Sequence, residues 1–371
     1  MNKLSFLKTV SHGRAHKINL DLGFLTDREN ILTSKSFRRL EYKTQVFLNH
    51  VGDHYRNRLT HSLEVGLLAK KACRILGLNE DLAECIGLAH DLGHTPFGHC
   101  GQDVLNELLE ARGFGHFEHN MQSFRIITEL DSLPGEEYNG LNLSFETIEG
   151  LAKHRKSNKK DYQKDLPEDI SDGQETLEAQ IGNACDEITY NCHDLDDGLR
   201  HGILEMSDLS NLEIFQQFSG EVKDIKNARM TIRKIKEFLL LDLVEETKNR
   251  VLESGIIKSE DIRESKESLV SLSKKMKIKN AQVKKMLNKK MYNHFILRRR
   301  EVLSRKIIYG LFDIFFNDPT LMPLKYSTLC KDKEKKHGEK GKARAVSDYI
   351  SGMTDRFAMA EYNKLFDINA I

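Results

Sequence analysis

The stretch LAHDLGHTPFGHCGQ, residues 88–102, places three histidines and an aspartate where an apolar helix runs out. Neighbouring side chains on a helix diverge by about 100°, so His90 and Asp91 reach one cation only if it sits close to the helix end. His61 stands upstream on the apolar face of a second helix. Asp186 stands downstream beside the apolar stripe of a third. Two imidazoles and two carboxylates are borderline-to-hard ligands, suited to Mn²⁺, Fe²⁺, Mg²⁺ or Zn²⁺ rather than to a thiolate metal. Their two negative charges balance a divalent cation and leave positions for water and a phosphate oxygen, the arrangement that acidifies water and polarises a phosphoryl group. On spacing alone, Glu84, Asp103 and Glu107 compete as the fourth ligand, and a plain helix cap at His90-Asp91 competes with metal binding altogether.

The elements that must position these groups are helical. Residues 59–77 put His61, Val65, Leu68, Ala72 and Ile75 on one face, with Gly77 as the stop. Residues 79–92 form a second helix with Asn79 as N-cap and Gly93 at its end. Residues 176–199 form a third, with Leu177, Ile181, Ala184, Ile188 and Leu195 as its buried stripe. Alternating strand patterns and turn dipeptides are scarce, so the expected fold class is all-α. Two polar stretches, 154–175 (with Pro167 and Gly173) and 327–344, read as loops. Between them, the basic segment 271–300 reads either as a solvated helix face with lysine stems lying over apolar neighbours or as a contact for polyphosphate or single-stranded nucleic acid.

Composition narrows the classes further. The chain has 371 residues, 39% of them hydrophobic, enough for a large core. A formal net charge of +1 supplies no global field toward nucleic acid or membrane. No run of 18 apolar residues exists, so no bilayer span is expected. The opening MNKLSFLKTVSHGRAHK has too short an apolar core for a secretory signal. Six cysteines show no paired spacing, which fits reduced thiols and a cytoplasmic location. The expected organisation is a core over 1–200 that carries the candidate ligands and a helical region over 201–371, packed as one compact unit.

The order His … His-Asp … Asp resembles the HD phosphohydrolase superfamily. The stretches DRENILTSKSFRRLEYKTQVF (27–47), GDHYRNRLTHSLEVG (52–66), GLAHDLGHTPFGHCGQ (87–102), FEHNMQSFRIIT (117–128), GLNLSFETIEGLAKH (140–154), EAQIGNACDEITYNCHDLDDGLR (178–200) and RAVSDYISGMTDRFAMAEY (344–362) resemble, more narrowly, its deoxyguanosine triphosphate triphosphohydrolase (dGTPase) branch. They run in family order over most of the chain, with 201–340 matching less clearly. The resemblance implies a multi-helix HD fold with a helical C-terminal extension. It also implies hydrolysis of dGTP or another dNTP at the α-phosphorus, giving deoxynucleoside and inorganic triphosphate.

Carried over residue by residue, the implied metal ligands are His61, His90, Asp91 and Asp186. They would hold a divalent ion, Mn²⁺ or Mg²⁺ first, with Fe²⁺, Ni²⁺ and Zn²⁺ compatible. Asp186 is preferred to Asp194 and Asp196 because the family's ligand is followed four residues on by an aromatic and eight on by an acid, here Tyr190 and Asp194. Those three positions line one helix face, Tyr190 for the sugar and Asp194 for the 3′-hydroxyl. Arg58 matches a phosphate-contacting arginine whose fork suits oxygen pairs; a surface ion pair is its bland rival. Gln45 matches a residue recognising the 3′-hydroxyl, and Lys153 a triphosphate contact whose rival is a solvated lysine. Lys290 and His294 are weaker matches for phosphate contacts, and Tyr349 reads as a core tyrosine.

His99 matches the catalytic histidine that protonates the departing sugar oxygen; His94 and His119 match residues near the phosphates. Gln102 departs from the family's carboxylate three residues after the catalytic histidine, and is expected to orient His99 without supplying charge. The resemblance further implies a homo-oligomer, hexameric in many relatives, with single-stranded DNA or nucleotides as effectors and no membrane partner. The rival readings are an HD phosphohydrolase acting on a monophosphate or signalling nucleotide, and a nucleotide- or single-strand-binding protein with a weakened site.

Overall fold

The computed structural model describes residues 4–47, 54–154, 166–218 and 224–367. Among them the chain is all-α, and strand-like pairing is confined to isolated bridges such as Arg14 with Ser144 and Thr44 with Asn57. No described helix is long and apolar enough to cross a membrane. The helices that carry the candidate site and its support are, in chain order, α1 (Arg58–Leu76), α2 (Glu80–Ala89), α3 (His99–Ala111), α4 (His119–Arg125), α5 (Phe145–Ala152) and α6 (Leu177–His201). They continue with α7 (Ile225–Ser254), α8 (Lys274–Leu287), α9 (Phe295–Asn317), α10 (Leu324–Ser351) and α11 (Asp355–Phe366). The described residues fall into two compact units, one drawn from Met1–Leu32, Thr60–His90 and Leu141–Leu297, the other from Thr33–Leu59, Asp91–Gly140 and Arg298–Ile371.

In the first unit α2 and α6 form the centre, with α5 against both and with α7 and α8 along α6. Local sequence sets each end. Gly77, at φ +82°, closes α1. The Asn79 side chain accepts from the backbone N–H groups of Asp81 and Leu82 at the start of α2. Thr176 caps α6 through Ala179 N–H, and Gly202 at φ +75° ends it. Helices α1 and α2 cross at two glycines. A Cβ on Gly87 would lie 2.6 Å from the Cα of Gly66, so only this residue lets the backbones approach so closely. The expected stripe of α1 holds through Ala72, but Ile75 is 39% exposed and Leu76 is buried in its place. A 3.6-residue period drifts, and at the last turn the inward position has moved on by one. On α6, Ala184 is half-buried while Leu177, Ile181, Ile188 and Leu195 are buried as expected.

The second unit has its own core, in which Val104, Leu105 and Leu108 of α3 pack with Ile308, Leu311, Phe312 and Phe315 of α9 and with Val346 and Ile350 of α10. The stretch 327–344, expected as a loop, is helical. It lies inside α10, which is broken only at Gly338 (φ 62°, ψ −155°). Its lysines and glutamates are good helix formers, and buried Ser327, Cys330 and Ala343 anchor it, so polarity there marks an outer face. Of the other expected loop, 154–175, residues 155–165 lie outside the described residues; Glu168–Ser171 within it is a single helical turn. In the basic segment, Met276, Val283 and Leu287 point inward from α8 while Lys274, Lys275, Lys277 and Lys285 are exposed.

Candidate metal centre and histidine cluster

Each unit contributes one cluster. In the first, α6 presents Asp186, 4% exposed, to three imidazoles. His61 of α1 places Nε2 2.9 Å from Asp186 Oδ1. His90, just past the end of α2, places Nε2 3.6 Å from the same oxygen, and His154, beyond α5, places Nε2 3.6 Å from Oδ2. The His90 backbone N–H continues the helical ladder to Ile86, and its Nδ1 lies 2.8 Å from the Gly87 carbonyl. A carbonyl accepts only, so the proton sits on Nδ1 and Nε2 offers its lone pair. The Nδ1 of His154 is buried with no hydrogen-bond partner among the described residues.

This donor set fits a divalent cation. Nε2 of His90 and Nε2 of His154 each stand 3.6 Å from an Asp186 oxygen, inside the roughly 4.4 Å that at most separates two atoms bonded to one ion at about 2.0–2.2 Å. A buried carboxylate also needs positive charge nearby.

The imidazole of His61 continues into a chain of contacts. Its Nδ1 lies 3.3 Å from Nδ1 of His193, and Nε2 of His193 lies 2.9 Å from Glu64 Oε2. Lys236 Nζ stands 2.8 Å from that same oxygen. Burial alone would raise the Glu64 carboxyl, but His193 and Lys236 hold it well below the usual carboxylate range. One and two turns beyond Asp186, Tyr190 is half-buried with the Lys284 ammonium 6.0 Å from its ring, and buried Asp194 accepts from the Tyr292 hydroxyl. Lys153 is not solvated. It is buried, with Nζ 2.8 Å from Glu149 Oε1 and 2.5 Å from the Asp172 carbonyl oxygen. Arg263 holds the same Glu149 oxygen at 2.8 Å. Lys290 pairs with Asp208 at 3.1 Å, and His294 packs its ring on Phe295.

The second unit brings His94, His99 and His119 together. His94 and His119 stack with centroids 4.0 Å apart, and His99 stands edge-on to His94 at 5.1 Å and to His119 at 5.9 Å. Asp91 bonds on both sides, Oδ1 lying 3.1 Å from His94 Nε2 and Oδ2 accepting from Arg58 Nη1 at 2.8 Å. Arg58 is thus a buried ion pair, not a surface one. Burial pushes His94 well below the usual imidazole range, with Arg58 and His119 adding to the effect and Asp91 opposing it.

His99 and His119 each open a helix. The turn before His99 is strained, with Phe97 at φ +62° and its N–H held by Asp355 at 2.8 Å. Asp355 also accepts from the backbone and side chain of Thr44, next to half-buried Gln45. Gln102 does not behave as expected. Its side-chain carbonyl accepts from His119, from the backbone N–H at 3.0 Å and the ring Nδ1 at 2.5 Å. Three residues into α3, it points to the chain entering α4 rather than back along its own helix to His99. Tyr349 is a core residue, as read, edge-on to Phe315.

Three residues of the first cluster, His154, His193 and Glu64, were missed from sequence. Glu64 lies one helical turn from His61 and His193 two turns from Asp186, so helical spacing could have flagged both. His154 lies past the end of α5, where no periodicity applies.

Residues 58–191 match the HD domain family, and residues 270–364 match the Phosphohydrolase-associated domain. That defines the class: a helical HD-domain protein with a C-terminal partner domain. Among curated proteins, the chain is 42% identical to a deoxyguanosinetriphosphate triphosphohydrolase-like protein of Geobacter sulfurreducens, over 93% of this chain and 88% of the relative. It is 41% identical to one of Nitrosomonas europaea, over 97% and 96%, and 40% identical to one of Azoarcus sp., over 98% and 96%. The chain belongs to the deoxyguanosinetriphosphate triphosphohydrolase-like family of HD-domain phosphohydrolases.

Proposed function

We propose that the chain is a metal-dependent triphosphohydrolase that cleaves dGTP or another dNTP at the α-phosphorus. The observation that carries this reading is the buried Asp186 carboxylate ringed by the Nε2 atoms of His61, His90 and His154. His61, His90, Asp91 and Asp186 would hold a divalent ion, Mn²⁺ or Mg²⁺, with His154 as a further imidazole beside them. Such an ion supplies an acidified water and neutralises charge on phosphate oxygens.

The chain's own residues do the rest. Arg58 gives one N–H to Asp91 and keeps further donors for phosphate oxygens. His94 and His119, stacked, stand beside the same phosphates. Water adds to the α-phosphorus and the P–O5′ bond breaks, its electron pair leaving with the sugar oxygen. His99 delivers a proton to that oxygen, removing the cost of expelling an alkoxide near neutral pH. Tyr190 lies under the sugar, and Asp194 and Gln45 take its 3′-hydroxyl. The covalent His90–Asp91 link supports assigning the metal cluster and the histidine cluster to one reaction.

The test is a panel of the four dNTPs with Mn²⁺ and with Mg²⁺, with and without dGTP as activator. Release of inorganic triphosphate, stopped by chelation and restored by metal, supports the reading. Orthophosphate or pyrophosphate as product would favour another nucleotide substrate class, and no turnover with any dNTP would favour a binding protein.

A further inference from the structure

We propose that His193 and Glu64 are positioning residues that fix His61 in the tautomer able to bind a metal. This rests on His61 being a metal ligand. The two candidate histidines differ in how their second ring nitrogen is engaged. His90 has its Nδ1 against the Gly87 carbonyl of its own helix, 2.8 Å away, so the backbone alone fixes its tautomer. His61 has another imidazole there instead, Nδ1 against Nδ1 at 3.3 Å. Two neutral imidazoles meeting this way leave the direction open, because either ring can be the donor.

Glu64 closes the choice. Its carboxylate offers only lone pairs, and Oε2 stands 2.9 Å from Nε2 of His193. A lone pair on Nε2 would face that negative charge, which favours the tautomer with the proton on Nε2. In that tautomer of the neutral ring, Nδ1 is the acceptor and His61 donates to it from its own Nδ1. What remains on His61 is Nε2 with its lone pair, the atom turned toward Asp186. Lys236, 2.8 Å from the same Glu64 oxygen, anchors the far end. Carboxylates and carbonyls that orient metal-ligating histidines in this way govern affinity in metal sites generally. Here the effect passes through an intervening ring, so the assignment has a signature that loss of bulk alone does not produce.

The signature is read in Mn²⁺ affinity by calorimetry on the full chain, with no substrate present. His193→Leu removes the acceptor and weakens binding by about tenfold or more. His193→Asn also loses the ring but keeps a side-chain oxygen near the position of Nδ1, and it recovers most of the affinity. Glu64→Leu shifts affinity in the same direction as His193→Leu. The proposal is overturned if His193→Leu binds within threefold of wild type, or if His193→Asn is as weak as His193→Leu. Should His193→Leu not fold, Glu64→Leu decides: weaker binding supports the relay and unchanged binding removes it. His61→Ala separates the two levels. If it binds Mn²⁺ as wild type does, the metal reading of His61 fails, and this proposal with it. If only the His193 and Glu64 variants leave affinity unchanged, the relay alone fails.

Discussion

Gly93→Ala should cripple turnover while leaving the chain folded. Gly93 lies between Asp91 and His94 on one side and the start of α4 on the other. A Cβ built there would lie 2.1 Å from the His119 carbonyl oxygen and 2.2 Å from the Ser123 backbone nitrogen. Cβ atoms are essentially never found closer than 3.0 Å to such atoms, so one backbone must retreat by at least 0.9 Å. Neither is a flexible side-chain end. If α4 yields, His119 moves; if the turn yields, His94 moves, because it is the next residue after Gly93. Either way the stack at 4.0 Å opens. A misplacement of about 1 Å in a catalytic constellation can cost on the order of a hundredfold in rate, whereas overpacking costs about 1–3 kcal/mol of stability. The assay is triphosphate release from the best dNTP, alongside thermal unfolding. Gly352→Ala is the control, since its Cβ would meet only ordinary contacts at 3.4 Å. A Gly93→Ala enzyme within threefold of wild type would refute the link between this close approach and the histidine cluster.

Three further outcomes follow from the same geometry. Gln102→Glu keeps both acceptor contacts to His119 and adds a negative charge. A nearby carboxylate favours imidazolium, so a limb of the pH–rate profile should move to higher pH, and superimposable profiles would show that His119 does not titrate in the reaction. Asp355→Ala leaves the N–H groups of Thr44 and Phe97 without their acceptor. With hydrogen bonds to a charged group at about 1.5–3 kcal/mol each, the unfolding midpoint should fall by roughly 5–10 °C, and an unchanged midpoint would mean the strained turn is held by other contacts. Glu64, whose carboxyl is held below its unfolded value, contributes stability that is complete above the ordinary carboxylate range and is lost as pH falls through the folded value. Glu64→Gln should therefore lose less stability than wild type on acidification, measured by unfolding at pH 6 and pH 3.

The elements of this fold were legible in sequence wherever one residue type reports its own environment. Asn79 caps α2 and Gly77 ends α1 because each does so through its own backbone or side chain. The pairing of His90 with Asp91 at a helix end was legible for the same reason. Outward-facing polar helices were not. The stretch 327–344 looks like a loop to any reading weighted by hydropathy, because its buried residues, Ser327, Cys330, Gly341 and Ala343, are too small and too sparse to outweigh its lysines. The candidate site divides along a similar line. Ligand-type residues announce themselves by chemistry, but their partners are chosen by packing. Gln102 lies three residues from His99 in the chain and yet serves His119, because the entry to α4 passes beside it. His154 joins Asp186 because the end of α5 lies there, at a position with no periodic signature.

The same division bears on where this protein's chemistry is tuned. If His90 takes its tautomer from the Gly87 carbonyl, substitutions of surrounding side chains leave that ligand poised. If His61 takes its tautomer from His193 and Glu64, that ligand answers to two side chains, one of them partly open to solvent at 34%. Metal affinity should then respond to changes around α1 and α6 and be insensitive to changes around α2. A scan of Mn²⁺ affinity across single substitutions on those three helices, the proposed ligands excluded, tests this. Equal sensitivity on all three would place the control of the metal in general packing rather than in the relay through His193.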